Sequence, residues 1–170
     1  MIPIIVELKE LSVNDSYDVY NMLKEIGLGE NGFTNSFPLE NYKTFSKSLL
    51  HYVEEANGIG IEEGRVPQTI FWLYIDEYPV AFGKLRHRLN EELLQYGGHI
   101  GYMVRSSERG KGYGKLMLKE LLKAARDKKI EKVLITCDET NHRSRRVIES
   151  NRGELEGITN GVCKYWRTIL

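Results

Sequence analysis

The sequence predicts an α/β fold, in which helices cover the faces of a mixed β-sheet. In four segments apolar residues recur every three or four positions, which indicates amphipathic helices. Other runs are apolar throughout or alternate apolar with polar residues, which indicates strands. A glycine-rich stretch also stands where a predicted strand gives way to the clearest predicted helix. Together these patterns predict the order β-α-α-β-β-β-α-β-α-β-β.

The first half of the chain is predicted to hold a strand, two helices and the start of a hairpin. An isoleucine-rich run at 2–8 indicates the strand. The first helix has Ser12 or Asn14 available as its N-cap and Gly27 as its end. The second helix follows Pro38 and carries apolar residues at helical intervals.

The second half of the chain continues with strands and two further helices. Runs at 69–75 and 80–89 predict a hairpin, and the connector after it has room for a turn of helix. The run 99–105 predicts the next strand, and 115–128 predicts a helix with one apolar and one basic face. A strand, a helix and a terminal hairpin complete the chain, at 132–137, 141–151 and around 159–161.

Length and charge limit the classes of protein to consider. The chain has 170 residues, so we expect a single domain over 1–170. Hydrophobic residues make up 41% and charged residues 28%, which is typical of a globular protein. The formal net charge is zero, which argues against a nucleic-acid partner because such partners favour basic proteins.

The sequence also bears on compartment and metals. The N-terminal residues lack the pattern of a signal peptide, and no apolar run is long enough to span a bilayer. The two cysteines, Cys137 and Cys163, are too few for a disulfide scaffold. Neither has a histidine at metal-ligand spacing, so we expect no metal site. We expect a cytoplasmic protein with reduced thiols and no membrane partner.

The glycine-rich stretch predicts an anion-binding site. Glycines stand at the entrance of a helix, where the first turn leaves backbone N–H groups unpaired and the helix dipole adds partial positive charge. Without Cβ atoms an anion can approach these N–H groups directly. Basic side chains surround the same point. The residues concerned are Arg109, Gly110, Lys111, Gly112, Tyr113, Gly114 and Lys115.

Three other interpretations of this stretch are weaker. A glycine turn without a ligand needs only one glycine, and each extra glycine costs a helix about 1 kcal/mol relative to alanine. A P-loop fails because Arg109 and Leu116 occupy its required glycine and hydroxyl positions. A dinucleotide fingerprint fails because its third glycine falls on Lys115 or Met117, although Asp138 is placed to bind a ribose.

Arg109, Gly112 and Gly114 match the pattern [R/Q]-x-x-G-x-[G/A] between a strand and a helix. In this setting the chain resembles the Gcn5-related N-acetyltransferase (GNAT) superfamily of acyl-CoA-dependent N-acyltransferases. The order of helices and strands is also similar over nearly the whole chain. Within the superfamily, the chain resembles the small bacterial-type acetyltransferases, with its own substrate unassigned.

The resemblance implies where acetyl-CoA binds. In such proteins the fourth strand splays from the fifth, and the pantetheine lies in the gap. Main-chain groups of Met103, Val104 and Arg105 would then bind the pantetheine and the acyl carbonyl, and one N–H would stabilise the oxyanion. The segment 109–115 would hold the diphosphate. The competing interpretation of Met103 and Val104 is an ordinary core strand.

The resemblance also implies two residues on the later helix and one departure. Asn141 and Ser144 occupy cofactor-facing positions, although a helix cap and a small packing residue would explain them as well. Many members have a tyrosine seven places after that Asn, which protonates the leaving thiolate. Here the position holds Ile148, so the acid is unassigned, with Ser144 or water as stand-ins. For the base, the strand offers His99 and Tyr102.

These expectations define the predicted function. The chain is predicted to transfer an acetyl group from acetyl-CoA directly to a primary amine of a small molecule, peptide or protein. The acceptor pocket would involve Gly27–Pro38, Leu89–Gly98 and the terminal hairpin. A non-catalytic acyl-CoA sensor is the main alternative, and an NAD-type oxidoreductase is a weaker one. The sequence leaves a monomer and a homodimer both open.

Overall fold

The computed structural model describes residues 2–170, which contain seven strands and five α-helices. Their order is the predicted one, with the short helix α3 added in the connector after the hairpin. The bounds are β1 (Val6–Glu10), α1 (Tyr17–Ile26), α2 (Tyr42–Ala56), β2 (Gln68–Ile75), β3 (Tyr78–Arg86), α3 (Glu91–Gln95), β4 (Ile100–Val104), α4 (Tyr113–Asp127), β5 (Lys132–Asp138), α5 (His142–Ser150), β6 (Glu154–Thr159) and β7 (Val162–Thr168).

The strands form two antiparallel sheets, ordered β1-β2-β3-β4 and β5-β7-β6. In residues 2–170 no ladder of backbone hydrogen bonds joins β4 to β5. The sheet is therefore divided between these two strands. One turn of 3₁₀ helix, Ser106–Glu108, leads from the end of β4 towards α4.

Strand β3 is buried on both faces because helices cover both. Ala81 and Leu85 belong to the core that α4 closes, together with Leu121. Phe82 belongs to the opposite core, where it packs against the rings of Phe37 and Trp72, and Phe45 from α2 is part of the same core. Burying one large apolar side chain stabilises a fold by roughly 1.5–3 kcal/mol. The two cores thus hold the four-stranded sheet rigidly between α4 and the α1–α2 pair.

The position of α4 depends on a glycine in β3. A Cβ atom at Gly83 would lie 2.2 Å from Met117 Cε and 3.0 Å from Leu121 Cδ1, so any larger residue would displace the ends of these two side chains. Met117, Leu121 and Ala125 are fully buried, as the predicted apolar row requires. The close approach sets the N-terminus of α4 beside the end of β4.

Helix α1 begins later than the sequence predicted. Its N-cap is Ser16, whereas Ser12 and Asn14 lie in a preceding turn. The N–H of Ser12 donates to Asp15 Oδ2 at 2.9 Å, and the same carboxylate accepts a hydrogen bond from Trp72 Nε1 at 2.8 Å. The polar residues Ser12 and Asn14 therefore form this turn instead of capping the helix.

Candidate active site

A cleft of about 780 Å³ opens where β4 and β5 separate. The strands meet at His99, whose N–H donates to Leu134 O at 2.8 Å. Near this junction the N–H of Gly97 donates to Thr136 Oγ1 at 2.8 Å. Beyond it the strands diverge, and residues from β3, β4, β5, α4, α5 and the α1–α2 loop line the space between them.

His99 closes the junction between the two strands. Its ring Nδ1 accepts a hydrogen bond from the backbone N–H of Leu134 at 2.9 Å, and only 6% of the residue is exposed. Burial, with the charge of Arg86, lowers the pKa of His99 to about 4. The residue does not line the cleft. These surroundings do not favour the predicted role of His99 as a catalytic base, because its accepting nitrogen is already used to join the two strands.

Of the predicted residues Met103, Val104 and Arg105, only Val104 has its backbone groups on the free edge of β4, where Tyr102 joins it. Arg105 N–H donates to Val80 O, and His99 O accepts from Arg86 N–H, so odd-numbered residues of β4 pair with β3. Backbone groups alternate in direction along a strand, which turns those of Tyr102 and Val104 towards the cleft. The Met103 side chain lines the cleft, but its backbone faces β3.

Arg105 is placed away from the cleft, contrary to the prediction that it contacts the cofactor. Its guanidinium donates to Pro79 O at 3.0 Å and to Glu25 Oε1 at 3.0 Å, and it lies over the ring of Tyr78. Because its N–H is also paired with β3, nothing of Arg105 reaches the gap between the strands. The alternation phase of a strand cannot be read from residue types, which explains the error.

The glycine stretch presents an open backbone at the start of α4. Gly110 and Gly112 have φ of +79° and +83°, and a Cβ at either would meet no atom within 4 Å. The backbone bonds of α4 begin with Leu116 N–H donating to Gly112 O at 3.3 Å. The N–H groups before it remain available, as expected for a helix start. Both glycines thus combine a left-handed backbone with unobstructed access.

Gly114 has a different role from the other two glycines. It lies inside the first turn of α4, and a Cβ there would stand 3.7 Å from Val147, 3.9 Å from Tyr102 and 3.9 Å from Val104. These are ordinary van der Waals distances, so α4, β4 and α5 meet around Gly114 at the cleft wall with room for a small side chain.

The charged residues around the glycines are partly engaged with one another. Arg109 Nε donates to Val104 O at 3.1 Å, and its Nη2 forms an ion pair with Glu30 at 2.8 Å. Lys111 pairs with Glu108 at 2.7 Å. Arg109 thus ties the α1–α2 loop to the end of β4. The cleft lining as a whole contains five lysines and arginines but only two carboxylates, although the chain is neutral.

Glu25 on α1 holds the turn that leads into the glycine stretch. Its carboxylate accepts from Arg105 Nη2 at 3.0 Å, and from the N–H and hydroxyl of Ser107 at 3.0 and 2.9 Å. Burial alone would raise the pKa of Glu25, but the hydrogen bonds from Arg105 and Ser107 lower it to about 2. The carboxylate is therefore ionised at neutral pH and fixes the path of the chain before Arg109.

Tyr102 places an unpaired hydroxyl in the wall of the cleft. Its oxygen is buried and has no hydrogen-bond partner among the described residues. Burial raises the pKa of Tyr102 to about 12, and nearby Ser144 offsets only part of this effect. A buried hydroxyl without a partner is costly, so this position favours a ligand that accepts its hydrogen bond.

The residues predicted on α5 are brought to the same wall. Asn141 is the N-cap: its Oδ1 accepts from Ser144 N–H at 3.2 Å, which leaves its amide NH₂ for another partner. Asn141 and Ser144 both line the cleft. Ile148 is fully buried in the α4 core, where a Cβ on Gly153 would approach its Cγ2 to 2.4 Å. The residue at the tyrosine position therefore belongs to the core and does not line the cleft.

The cleft has two ends, which we name by their residues. The glycine end comprises Tyr102, Val104, the segment 109–115, Asn141 and Ser144. The lysine end comprises Phe33, Thr34, Lys84, Arg86 and Tyr96.

The lysine end combines parts of two segments expected to bind the acceptor with two residues that were missed. The α1–α2 loop and the connector after β3 contribute to the lining, whereas the described residues of the terminal hairpin do not. Lys84 and Arg86 were not predicted. They alternate with apolar residues in a strand that is otherwise buried, and this pattern is the signal that sequence reasoning passed over.

Two features are absent from residues 2–170. No cluster of three or more histidine, cysteine, aspartate or glutamate residues is arranged to hold a metal ion. No helix is both long and apolar enough to cross a membrane.

A divided sheet, a glycine-rich helix entrance at the division and a cleft between the strands define an acyl-CoA N-acyltransferase fold. Residues 31–153 match the acetyltransferase (GNAT) family, and the chain belongs to that family. This membership supports an N-acetyltransferase over a non-catalytic coenzyme A sensor.

Solved structures agree on the fold. RimL, a ribosomal L7/L12 α-N-protein acetyltransferase solved with coenzyme A, is 18% identical with a TM-score of 0.68, covering 96% of this chain and 94% of its own. The corresponding Salmonella typhimurium enzyme, described as modifying the N-terminal serine of L7/L12, is 18% identical with a TM-score of 0.65, covering 97% and 95%. Campylobacter jejuni PseH, solved with acetyl coenzyme A, is 10% identical with a TM-score of 0.63, covering 98% and 100%. No curated protein matches the chain significantly in sequence.

Proposed function

We propose that this N-acetyltransferase binds acetyl-CoA at the glycine end of the cleft and transfers the acetyl group directly to a primary amine at the lysine end. The observation that supports this most strongly is the single cleft that joins the open glycine backbone to a second, differently built end. One cavity with two unlike ends suits a ternary complex of both substrates and needs no acyl-enzyme.

The glycine end has suitable groups for each part of coenzyme A. The space beside Gly110 and Gly112 is open, and the N–H groups at this helix start would bind the diphosphate, with Lys115 adding charge at the cleft wall. The pantetheine would lie along the free edge of β4, where Tyr102 and Val104 offer backbone groups. The free amide NH₂ of Asn141 is placed to donate to the same chain.

The reaction needs few chemical groups from the protein. The acceptor loses a proton to water, and its neutral nitrogen attacks the thioester carbonyl. The C–N bond forms, the nitrogen loses a second proton to water, and the C–S bond breaks, so that an amide is produced and coenzyme A leaves as a thiolate. An N–H on the free edge of β4, such as that of Val104, would stabilise the oxyanion formed during attack.

Tyr102 is the best-placed group to stabilise the leaving thiolate. With a pKa of about 12 its hydroxyl stays protonated at neutral pH and can donate a hydrogen bond. Complete proton transfer to the thiolate of a thiol with pKa near 8.5 would cost about 5 kcal/mol, so hydrogen bonding suffices as its role. Ser144 lies beside it and would assist the same sulfur.

The function is tested by thiol release from acetyl-CoA across a panel of primary amines, after a thermal-shift comparison of acetyl-CoA, CoA, ATP and NADH. We expect stabilisation by the two coenzyme A compounds and amine-dependent thiol release. Protection by NADH alone would contradict the proposed cofactor. Binding of acetyl-CoA without release on any amine would favour the sensor.

A further inference from the structure

Two cations at the lysine end, one buried and one partly buried, have no carboxylate in direct contact. Lys84 is 8% exposed, and Arg86 is partly buried beside it on β3. Between residues 2 and 170 no carboxylate oxygen lies within 4.0 Å of a nitrogen of either side chain. Burying an uncompensated charge is expensive, so two neighbouring cases in one cleft need an explanation.

The present contacts of both cations are neutral. Lys84 Nζ donates to Thr34 O at 2.6 Å and to Thr34 Oγ1 at 3.4 Å, and it lies 4.8 Å from the ring centre of Phe33. Arg86 Nη1 donates to the carbonyl oxygens of Gly97 and Gly98 at 3.0 and 3.3 Å. An ammonium has three donors and a guanidinium five, so both retain donors for a ligand. The contacts anchor the two side chains but include no ion pair, and only the more distant Glu55 carboxylate acts on the charge of Lys84.

The strand register locates these cations relative to the reaction. Lys84 pairs with Gly101, directly before Tyr102 on β4. A Cβ at Gly101 would lie 3.4 Å from Phe33 Cδ2 and 4.0 Å from Arg86 Nη1, so this glycine leaves room beside the cations. Side chains alternate along a strand, so Tyr102 points to the opposite face. The cations thus adjoin the free edge of β4 on the face away from Tyr102.

We propose that the acceptor is a primary amine carrying an anionic group, a carboxylate or a phosphate, which binds to Lys84 and Arg86 while its nitrogen reaches the thioester. This inference deepens the proposed function and rests on it. The anion compensates the two buried charges and orients the amine across the edge of β4. Recognition by charged hydrogen bonds favours the acidic molecule over its neutral counterpart.

The test compares matched amines in wild-type enzyme by thiol release from acetyl-CoA. The pairs are β-alanine with β-alaninamide, O-phosphoethanolamine with ethanolamine, and the dipeptide amides Ser-Asp-NH₂ with Ser-Asn-NH₂. We expect the acidic member of at least one pair to have a kcat/KM about 10- to 100-fold higher. The pair with the largest ratio identifies the source of the anion. Neutral members that are equal or better in all three pairs would overturn the inference.

Substitutions then assign the preference to the two cations. In Lys84→Met and Arg86→Gln we expect the ratio to fall towards one, while affinity for acetyl-CoA is unchanged. Lys84→Arg keeps the charge and should keep most of the preference for the acidic amine. This variant therefore separates the effect of the charge from the effect of the hydrogen bonds that Lys84 makes to the α1–α2 loop. Lys119→Met removes an exposed lysine outside the cleft and should change nothing. A ratio that survives both Lys84→Met and Arg86→Gln would contradict the assignment.

Failure of the proposed function is distinguishable from failure of this inference. If no amine is acetylated, the proposed function fails, and binding decides the inference separately. Saturation-transfer NMR on the coenzyme A complex would then compare the same pairs in wild type and Lys84→Met. Selective binding of acidic members that Lys84→Met abolishes would support the anion site. Equal binding of both members would overturn it.

Discussion

At one end of the cleft Gly110 and Gly112 present open backbone, and at the other Lys84 and Arg86 present charged side chains. The glycine end is formed largely by one continuous segment at a helix entrance. The lysine end is assembled from a loop, a strand and a connector that are distant in sequence. Recognition through backbone imposes glycines at set spacings, whereas recognition through side chains leaves the residues free to vary with the ligand.

The sharpest test of this contrast is Gly112→Val. A side chain there strains a left-handed backbone by about 1–2 kcal/mol and occupies the approach to the helix entrance. Loss of charged hydrogen bonds to the diphosphate should weaken coenzyme A binding about 100-fold, measured by calorimetry.

Gly161→Val is the matched control for this substitution. Gly161 has φ of +76° with open space around it, in the turn between β6 and β7, outside the cleft. The Gly161→Val variant should lose a similar amount of stability and keep its full affinity for coenzyme A. Equal loss of affinity in both variants would mean that strain, and not the cradle, explains the effect.

At the glycine end, the substitution Tyr102→Phe removes only a hydroxyl. Because that hydroxyl would donate to the developing thiolate, kcat should fall about 30-fold, in line with a hydrogen bond to a charged group. The affinity for acetyl-CoA, measured by calorimetry, should stay the same. An unchanged kcat, with acetyl transfer shown to be the rate-limiting step, would exclude Tyr102 from this role.

The lysine end should respond to pH, whereas the glycine end should not. Burial, with the charges of Arg86 and Arg65, lowers the pKa of Lys84 to about 8, and Glu55 opposes this shift. Lys84 is charged below that pH and neutral above it. The ratio of kcat/KM for β-alanine over β-alaninamide should therefore fall, by up to about 10-fold, between pH 6.5 and 9. A flat ratio would contradict a role for the Lys84 charge.

The smallest effect is expected for Glu25→Gln, which loosens the support of the glycine end. The free energy of unfolding should fall by about 1–2 kcal/mol at pH 7, since a partly exposed pair is weakened by solvent. The pKa of Glu25 is lowered to about 2, so its contribution is present above pH 4.5 and is lost as pH falls towards 2. Urea denaturation at several pH values measures this difference in the free energy of unfolding, and Glu63→Gln at an exposed position is the control. A difference between wild type and Glu25→Gln that does not shrink in acid would refute the carboxylate's role.

The same contrast explains how much the sequence could predict. The glycine spacing identified the helix entrance, and hydrophobic periodicity placed most helices and strands near their observed positions. The positions of His99 and Arg105 outside the cleft could not be predicted, because residue type and strand membership do not reveal which neighbouring backbone a side chain or N–H meets. Lys84 was missed because its partner Thr34 lies far away in sequence, and only the folded chain brings the two together.

The most direct measurement of the central claim is the ¹H–¹⁵N NMR spectrum of the protein titrated with coenzyme A and, separately, with pantetheine, which lacks the diphosphate. If the glycine end binds the diphosphate through its backbone, the amide signals of Gly110, Gly112 and Gly114 will move strongly with coenzyme A and little with pantetheine, while that of Gly161 will stay in place. Saturable coenzyme A binding that leaves the signals of Gly110 and Gly112 unmoved would contradict the account.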